Sequence, residues 1–312
     1  MLIRNVLVIG GSGFLGRHVV RQLAARGLAV RVPTRNRERA KELILLPTVD
    51  VVQADVHDDA TLQRLLQSAD AAINLVGILH GDFDRAHVQL PHRIAAACAR
   101  ASVQRLVHVS ALKAAPDAPS AYLRSKAAGE AAIREAQGEH LQTTILQPSV
   151  IFGREDRFLN LFARLARALP AIVLASPAAR FQPVHVDDVA RAIAAALSDV
   201  RTFGQTYALC GPQVYTLREL VAYVVRSLGL HRPIVGLGKS LSMLQAGILE
   251  HLPGKLMTRD NVRSMQVDNV CGCAFPEVFG FEPTPLEAVV PLYIAGVTPR
   301  SRYRWFRFRA RR

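Results

Sequence analysis

Short apolar runs alternate with longer amphipathic runs over the first 110 residues of the chain. The apolar runs predict five β-strands, at residues 3–9, 29–34, 50–54, 71–76 and 105–110. The amphipathic runs between them predict helices at 14–26, 37–46, 59–67 and 87–101. Strands and helices that alternate at this period are typical of a parallel sheet covered by helices on both faces. We therefore expect a doubly wound α/β fold.

The alternation continues to residue 148 and loosens beyond it. The later pattern predicts one more strand, at 142–148, and helices at 121–137, 158–168 and 217–228. From these elements we predict three regions: a sheet core at 1–153, a remainder at 154–298 that mixes the rest of the core with a smaller C-terminal α/β lobe, and a tail at 299–312.

Two sets of polar residues mark the beginnings of later helices. Thr216 and Glu219 have the spacing of a capping box at the start of the predicted 217–228 helix. Asp187 or Asp188 is the expected N-cap of a further helix.

A glycine-rich stretch joins the first predicted strand to the first predicted helix. Gly10 permits a sharp turn off the strand, Gly13 leaves room for a pyrophosphate beside the backbone, and Gly16 lets the helix pack closely. The N–H groups of the first helical turn would then face the phosphates. This context favours a dinucleotide-binding, Rossmann-type sheet over an ordinary tight turn. The predicted binding residues of this loop are Gly10, Ser12, Gly13, Phe14, Leu15 and Gly16.

Residues after the next three strands extend the predicted nucleotide site. Arg35 stands where an acidic residue would hold the ribose 2′-hydroxyl of NAD, and a guanidinium there favours the 2′-phosphate of NADP(H) over NAD(H). The alternative for Arg35 is a solvated, basic helix start. Asp55, with Val56, could accept a hydrogen bond from the adenine amino group or could cap a helix. Val76 and Gly77 end the fourth strand, where a glycine lets the backbone pass close to a cofactor or simply makes a turn.

A second group of residues is suited to hydride-transfer chemistry. Tyr122 and Lys126 share one face of a predicted helix because they are four positions apart. An ammonium beside a phenol lowers the phenol pKa from its usual value of about 10, which would make Tyr122 an acid–base group. Ser110, at the end of the fifth strand, could bind a substrate oxygen. The alternative is a surface pair in which Lys126 snorkels to solvent.

The segment after the sixth strand is expected to lie beside the nicotinamide, and it contains Pro148, Ser149 and Val150. A charged cluster follows it at 154–157. We expect its members to pair with one another and lock the second lobe. Contact with a substrate or partner is the alternative.

Composition places the chain among globular proteins, because half of its 312 residues are apolar and 21% are charged. The N-terminal residues lead straight into the first predicted strand, so we expect neither a signal peptide nor a transit peptide. No run of about eighteen apolar residues occurs, so we expect no membrane-spanning helix and a cytoplasmic protein.

Four cysteines are present: Cys98, Cys210, Cys271 and Cys273. The spacing of Cys271 and Cys273 is wrong for a zinc knuckle, and no set of histidines lies near them in the sequence. We therefore predict four free thiols in a reducing compartment and no bound metal.

The formal net charge of +14 points to a polyanionic neighbour. The tail, 300–312, interleaves seven Arg with four aromatic residues. This composition suits the headgroup boundary of an anionic membrane or a protein partner, and RNA is the less favoured target. A frayed terminus is the alternative for the tail. The apolar segment 237–257 could be a membrane-facing hairpin or part of the second lobe's core.

The glycine loop, Ser110 and the Tyr122-xxx-Lys126 pair together resemble the extended or atypical short-chain dehydrogenases/reductases. Five segments carry a narrower resemblance, to the nucleotide-binding accessory subunits of respiratory complex I and their bacterial relatives. They are 122–130, 152–160, 182–189, 258–262 and 303–305. One departure is the Gly10-Gly11 pair, where Thr-Gly is common.

The resemblance implies a tightly held NADPH and an association with the peripheral arm of complex I, near the membrane and the quinone site. It also links the branch to ubiquinone biosynthesis. It implies Ser110, Tyr122 and Lys126 as the catalytic set if the chain is active, and Lys126 as a ligand of the nicotinamide ribose.

Two functional hypotheses follow. In the first, NADP(H) is a largely structural ligand, and the protein serves a respiratory or quinone-biosynthetic complex, peripherally on the inner face of the cytoplasmic membrane. In the second, the chain is an NADP-dependent oxidoreductase that acts on a quinone-related or other apolar carbonyl through Tyr122 and Lys126.

Overall fold

The computed structural model describes residues 2–251 and 256–295. The predicted tail at 299–312 lies outside the described residues. Thirteen strands occur in the described chain: β1 (Asn5–Ile9), β2 (Ala29–Thr34), β3 (Val49–Gln53), β4 (Ala71–Asn74), β5 (Arg105–Val109), β6 (Gln142–Pro148), β7 (Ile151–Phe152), β8 (Ile172–Leu174), β9 (Arg180–Phe181), β10 (Val184–His185), β11 (Gln205–Leu209), β12 (Tyr215–Thr216) and β13 (Ile234–Gly236).

The α-helices of the described chain are α1 (Phe14–Ala25), α2 (Lys41–Ile44), α3 (Asp59–Leu66), α4 (Leu90–Arg100), α5 (Ala121–Glu135), α6 (Phe158–Ala168), α7 (Val186–Ala196), α8 (Leu217–Ser227), α9 (Lys239–Leu249), α10 (Arg259–Ser264) and α11 (Leu286–Ile294). A π-helix, Asp84–Gln89, runs directly into α4. Short 3₁₀ turns lie at Arg37–Ala40, Val200–Thr202 and Glu277–Phe279.

Seven parallel strands form the main sheet in the order β11-β6-β5-β4-β1-β2-β3. The chain winds outward from β1 in one direction through β2 and β3, and in the other through β4, β5 and β6. The order therefore reverses between β1 and β4, where Ile9 is in register with Asn74. In open α/β sheets, ligands bind beyond the carboxyl ends of the strands at this kind of switch point. The predicted doubly wound, Rossmann-type sheet is confirmed.

One face of this sheet is packed against α3, α4 and α5. The apolar cluster between them includes Leu7, Leu62, Ile94, Leu106 and Ile133, all less than 1% exposed. Because side chains alternate across a strand, Leu106 shares this face with His108 and with Ser110, which directly follows β5. The α4–α5 side of the sheet therefore carries the polar residues at the end of β5.

The predicted element boundaries agree with the observed ones for most of the sheet, and two predicted helices differ. The 37–46 helix is split into a 3₁₀ turn and the short α2, because Asn36 caps the turn by accepting from Glu38 N. The 87–101 helix begins earlier, as the π-helix. The capping box of Thr216 and Glu219 is confirmed.

The prediction that Asp187 or Asp188 is an N-cap is wrong. Helix α7 begins at Val186, directly after β10, and both aspartates lie in its first turn. A carboxylate there still stabilises the helix, because the helix dipole is positive at that end.

The described chain divides into two compact units. The first takes in the residues up to Ser149, then Val186–Leu209 and Cys271–Glu282, and contains the seven-stranded sheet. The second consists of Val150–His185, Cys210–Val270 and the chain from Pro283 onward. It contains three two-stranded pairs, β7–β10, β9–β12 and β8–β13, and an apolar core built largely by α6, α8 and α11.

The charged cluster at 154–157 does not pair as predicted at Asp156. This carboxylate is buried in the second unit and caps α6, accepting from Leu159 N at 2.6 Å and from Gly153 N at 3.2 Å. It also accepts from the Tyr293 hydroxyl at 3.1 Å. Burial raises the pKa of Asp156, and the hydrogen bonds act in the opposite direction.

The prediction of four free thiols is wrong for two cysteines. Cys98 and Cys273 are free, whereas Cys210 and Cys271 are disulfide-bonded. Over the described residues, no helix is long and apolar enough to cross a membrane. The same part of the chain contains no cluster of three or more potential metal-ligating side chains.

Candidate functional site

The loop between β1 and α1 has a backbone that only glycine fits without strain. Gly10 has a φ of +85°, and a Cβ on it would lie 3.1 Å from the Leu75 carbonyl carbon. A Cβ on Gly16 would lie 2.3 Å from the Gly10 oxygen, well inside contact distance. The turn is closed by Gly13 N, which donates to Gly10 O at 3.0 Å. Gly10 and Gly16 therefore have the roles predicted for them, a sharp turn and a close helix packing.

The amino end of α1 offers unpaired N–H groups to an anion. Gly13 is the N-cap and has no side chain to accept from them, and no acidic residue occurs in the first turn. Ser12, Phe14 and Leu15 are partly exposed around this helix end. Unsatisfied N–H groups and the positive end of the helix dipole together suit a phosphate.

Several basic side chains act electrostatically on His57, which follows β3. Burial lowers the pKa of His57, and the positive charges of Arg85, Arg35 and Arg93 lower it further, against the opposite effect of Asp55. Arg35 is exposed, and Arg93 donates to His57 O at 2.7 Å. The structure thus brings Arg35 into a group with two arginines that the sequence interpretation missed, because they come from the π-helix and α4.

Asp55 is not the cap of α3. Its Oδ1 accepts from His57 N at 3.0 Å, and Asp58 caps the helix by accepting from Thr61 N at 2.8 Å. The helix-cap alternative for Asp55 is therefore wrong. Its contact with adenine stays a prediction, and so does that of its half-buried neighbour Val56.

The segment after β4 is held at the switch point by the buried Asn74. The Asn74 Oδ1 accepts from Val76 N at 3.1 Å, and Leu75 N donates to Ile9 O at 2.9 Å. A Cβ on Gly77 would meet no protein atom within 4 Å. Packing within the protein therefore does not explain this glycine.

Tyr122 and Lys126 lie on one side of α5, which Ser120 caps by accepting from Leu123 N at 3.2 Å. The buried Lys126 Nζ donates to Val109 O at 2.8 Å, directly before Ser110. Tyr122 packs against the apolar residues that follow Ser110, among them Ala111. The structure therefore brings Ser110, Tyr122 and Lys126 to the carboxyl end of β5, and the surface-pair alternative is wrong.

The prediction that Lys126 lowers the pKa of Tyr122 is wrong in direction. Burial raises the pKa of Tyr122 to about 12, because the phenolate loses more hydration than its surroundings replace. Burial also lowers the pKa of Lys126 to about 8, with the Glu130 carboxylate partly opposing that shift. At neutral pH, Tyr122 is therefore a protonated phenol and Lys126 an ammonium. In this state the phenol can donate a proton but cannot accept one as a base.

Two buried polar atoms beside this pair have no hydrogen-bond partner among the described residues: Ser110 Oγ and His108 Nε2. The other ring nitrogen of His108 accepts from Asn74 Nδ2 at 3.1 Å. Buried polar groups are normally satisfied, so Ser110 Oγ is suited to bind an oxygen that the protein itself does not supply. The contact with a substrate oxygen predicted for Ser110 stays a prediction.

The sequence interpretation also missed Glu130, although its signal was present. It follows Lys126 by four positions, as Lys126 follows Tyr122, so all three share one face of α5. The Glu130 carboxylate is buried and accepts from Gln147 Nε2 at 2.7 Å and from Arg134 at 2.6 Å.

The residues after β6 do not form one group. Pro148 and Ser149 are buried in the first unit, where Pro148 O accepts from Leu112 N and Ser149 N donates to Leu209 O. Val150 begins the second unit, and its N–H donates to Asn269 Oδ1 at 3.1 Å. Their placement beside the nicotinamide stays a prediction.

The family model described as "NAD dependent epimerase/dehydratase family" matches residues 6–210. The mouse protein "NADH dehydrogenase [ubiquinone] 1 alpha subcomplex subunit 9, mitochondrial" is 34% identical over 316 residues, covering 96% of this chain and 81% of the mouse protein. The ceramide reductase of Caulobacter vibrioides is 36% identical over 217 residues, covering 65% of this chain and 67% of the reductase.

Among solved structures, an NADPH-dependent quinone oxidoreductase from Escherichia coli complexed with NADPH has the same fold. Its TM-score is 0.73 at 20% identity, and the match covers 92% of this chain and 99% of that one.

Proposed function

The chain belongs to the NAD dependent epimerase/dehydratase family, and we propose that it binds NADP(H) and serves a membrane-associated respiratory or quinone-biosynthetic complex. In this proposal the nucleotide is largely a structural ligand. The similarity to the mouse complex I subunit, over 96% of this chain, supports the choice of partner.

The observation that carries the cofactor assignment is the open amino end of α1 behind the glycine loop. The basic side chains that act on His57 support the choice of NADP(H). The α1 end and the glycine loop would hold the pyrophosphate, and Arg35, within the group of basic side chains around His57, would hold a 2′-phosphate. Asp55, Val56, Val76 and Gly77 would line the adenosine half. Tyr122, Lys126 and the 148–150 segment would line the nicotinamide half.

A titration of the purified chain with NADPH and NADH tests this assignment. We expect NADPH to bind at least tenfold more tightly than NADH and Arg35→Asp to remove that preference, because the charge reversal repels the 2′-phosphate. Arg100→Asp, at the exposed end of α4, is the matched control and should leave the preference intact. If NADPH still binds better than NADH to Arg35→Asp, the role proposed for Arg35 is wrong.

A structural role for the nucleotide is consistent with the chemistry of Tyr122. A phenol with a pKa near 12 keeps its proton at neutral pH and does not act as the base that alcohol oxidation would need. A nucleotide that binds only the folded chain stabilises it without any turnover, by about 2.7 kcal/mol at one hundred times its dissociation constant.

An exposed apolar stripe on α9 supports the membrane part of the proposal. Leu241, Leu244 and Ile248 recur at helical spacing and are 55%, 61% and 60% exposed. The exposed Lys239 lies at the start of the same helix. Apolar side chains with adjacent positive charge suit the surface of an anionic membrane. The basic-aromatic tail proposed for the same surface lies outside the described residues.

Sedimentation with phosphatidylglycerol or phosphatidylcholine vesicles tests membrane binding. We expect the chain to bind the anionic vesicles and the Leu244→Glu/Ile248→Glu variant to bind them several-fold more weakly. Leu45→Glu is the control, since Leu45 is 84% exposed in the first unit. Equal binding by all three proteins would exclude α9 as the contact.

An NADP-dependent oxidoreductase is the second candidate function, and the unpartnered Ser110 Oγ favours it. NADPH would supply a hydride to a carbonyl carbon when bound. Ser110 would donate a hydrogen bond to the carbonyl oxygen, and Tyr122 would transfer its phenolic proton to that oxygen beside the Lys126 ammonium. The Caulobacter relative, named as a ceramide reductase, makes a large apolar substrate a reasonable choice.

Nicotinamide fluorescence of the NADPH-loaded chain separates the two candidates. We would follow it after adding short-chain ubiquinone analogues and simple carbonyls to the wild type and to Tyr122→Phe. Protein-dependent oxidation that is lost in Tyr122→Phe would establish an oxidoreductase. A cofactor that stays bound and reduced in both proteins favours the structural role.

A further inference from the structure

A buried histidine connects the segment after β4 to the helix that carries Tyr122 and Lys126. The π-helix places His87 between the two, and its side chain is almost fully buried. Its Nε2 accepts from Ile78 N at 3.0 Å, and its Nδ1 lies 2.9 Å from Ser125 Oγ. Ile78 directly follows Val76 and Gly77, which belong to the proposed nucleotide site.

The hydrogen-bond partners assign the proton of this ring. The lone pair of Nε2 is used by the Ile78 N–H, so the proton must be on Nδ1. Nδ1–H then donates to Ser125 Oγ, and the Ser125 hydroxyl donates in turn to Tyr122 O at 2.7 Å. A proton on Nε2 would face the Ile78 N–H directly. The chain of donors therefore runs in one direction, from the segment after β4 to the Tyr122 backbone.

The His87 ring also contacts the Tyr122 ring. Their centroids are 5.6 Å apart at 78°, an edge-to-face contact. Phe83 stacks on His87 at 5.5 Å and meets Tyr122 edge-on at 6.1 Å. The Tyr122 ring therefore packs against both the His87 and the Phe83 rings.

The backbone at His87 fixes the position of α5 as well. A Cβ on Gly129 would lie 2.2 Å from His87 O, so the helix packs on this turn without an intervening side chain. π-Helical turns are rare and occur often at functional sites. Here the wider turn brings the His87 ring between Ile78 and Ser125.

We propose that His87 is a positioning residue that couples the nucleotide-binding segment Val76–Ile78 to the orientation of Tyr122 and Lys126. The inference rests on the proposed nucleotide site. A shift of the Ile78 N–H on nucleotide binding is transmitted through the imidazole to Ser125 and Tyr122. Without the imidazole, the adenosine half still binds and the nicotinamide half loses its aligned partners.

The first test compares two ligands in four proteins. NADPH carries the nicotinamide and its ribose, and 2′-phospho-ADP lacks both. The dissociation constant of 2′-phospho-ADP divided by that of NADPH therefore isolates the Tyr122 and Lys126 side of the site. We expect this ratio to fall about tenfold in His87→Phe, which keeps a ring but neither hydrogen bond. His87→Gln, which can accept and donate, should recover part of it. The exposed His92→Phe on α4 should match the wild type.

The outcomes of this test are distinct. If His87→Phe fails to fold, it binds neither ligand and gives no ratio. The comparison then rests on His87→Gln. A wild type that binds neither ligand overturns the nucleotide site itself, and the inference with it. A wild type that binds both, with a ratio unchanged within twofold in both His87 variants, overturns the inference alone.

The second test observes the imidazole of the wild-type chain directly. Long-range ¹H–¹⁵N NMR of the histidine-labelled chain reports which ring nitrogen carries the proton, and the missing signal in His87→Gln assigns the residue. We expect an Nδ1–H imidazole that stays neutral from about pH 5 to 8 and a shift of its Nε2 resonance on addition of NADPH. An Nε2–H ring, or an Nε2 resonance that does not respond to bound NADPH, contradicts the inference.

Discussion

At the residue scale, the buried carboxylate of Glu130 influences the charge state of Lys126. Burial lowers the pKa of Lys126 to about 8, and Glu130 opposes that shift. The Glu130 carboxylate accepts hydrogen bonds from Gln147 and Arg134, and these bonds fix its position. Glu130 therefore raises the pKa of Lys126 against the effect of burial and favours the ammonium form.

Replacing Glu130 by Gln should lower the pKa of Lys126 below about 8, because the negative charge that favours the ammonium is removed. The chain has only five lysines, so ¹³Cε-lysine NMR can follow each one through a pH titration. Lys126→Met identifies the signal, and Glu135→Gln, exposed on the same helix, is the control. A Lys126 that titrates at the same pH in Glu130→Gln as in the wild type would remove Glu130 from this role.

The linkage between this pKa and stability has a definite sign. Lys126 binds a proton less readily in the folded chain than in the unfolded chain, where its pKa is about 10.4. Between about pH 8 and 10.4 the unfolded state therefore binds more protons, and the contribution of Lys126 to stability rises with pH in that window.

Arg105 is a second buried charge, at the opposite end of β5 from Ser110. Its guanidinium donates to Ala196 O at 2.7 Å and to Gln142 O at 2.8 Å, and it lies over the Phe203 ring at 4.5 Å. Among the described residues, all its hydrogen-bond partners are carbonyl and hydroxyl oxygens. These contacts come from three segments of the first unit, so the side chain ties them together.

Arg105→Ala should destabilise the chain by about 3–5 kcal/mol, because it leaves buried carbonyls without donors and opens a cavity. Urea unfolding followed by circular dichroism measures the loss. The exposed Arg100→Ala on α4 should cost less than about 1 kcal/mol. An Arg105→Ala protein as stable as that control would show that the carbonyls find other donors.

At the scale of elements, the alternation of apolar and amphipathic runs predicted most of the main sheet. The predicted bounds of β2, β6 and α6 agree residue for residue, since each is set by local periodicity. The π-helix was missed because its hydrogen-bond pattern depends on the packing of α5 against His87. The same holds for the site. The sharp turn at Gly10 was predictable because it depends on the conformation of that residue alone. The high pKa of Tyr122 was not, because it arises from burial by the whole fold.

Substitutions at two glycines should distinguish an effect on stability from an effect on nucleotide binding. Gly16→Ala forces α1 off the glycine loop and should lower both stability and NADPH affinity. The methyl group added by Gly77→Ala would contact no protein atom within 4 Å, so this variant should be as stable as the wild type. It should weaken NADPH binding more than tenfold, because the methyl group would occupy space proposed for the cofactor. Calorimetric titration and urea unfolding provide the two readouts, with Gly138→Ala, which also has open space, as the control. Unaltered NADPH binding by Gly77→Ala would place the cofactor away from this turn.

At the scale of the whole molecule, the charge distribution predicts how salt will change cofactor choice. The chain carries a formal net charge of +14, and Arg35, Arg85 and Arg93 act together on His57. The net charge attracts any nucleotide over a distance of about a Debye length, ~10 Å at 0.1 M salt. The three arginines instead act locally, around His57.

NADPH binding should therefore weaken more steeply with salt than NADH binding, because only NADPH has the 2′-phosphate that we propose lies in the arginine group. Between about 0.05 and 0.5 M NaCl, where the Debye length shortens severalfold, we expect the preference for NADPH to decrease several-fold. Arg35→Ala should flatten this dependence, and Arg100→Ala should not. Isothermal titration at each salt concentration gives both affinities. If the two nucleotides respond to salt in parallel, the arginine group does not read the 2′-phosphate, and the net charge alone attracts the cofactor.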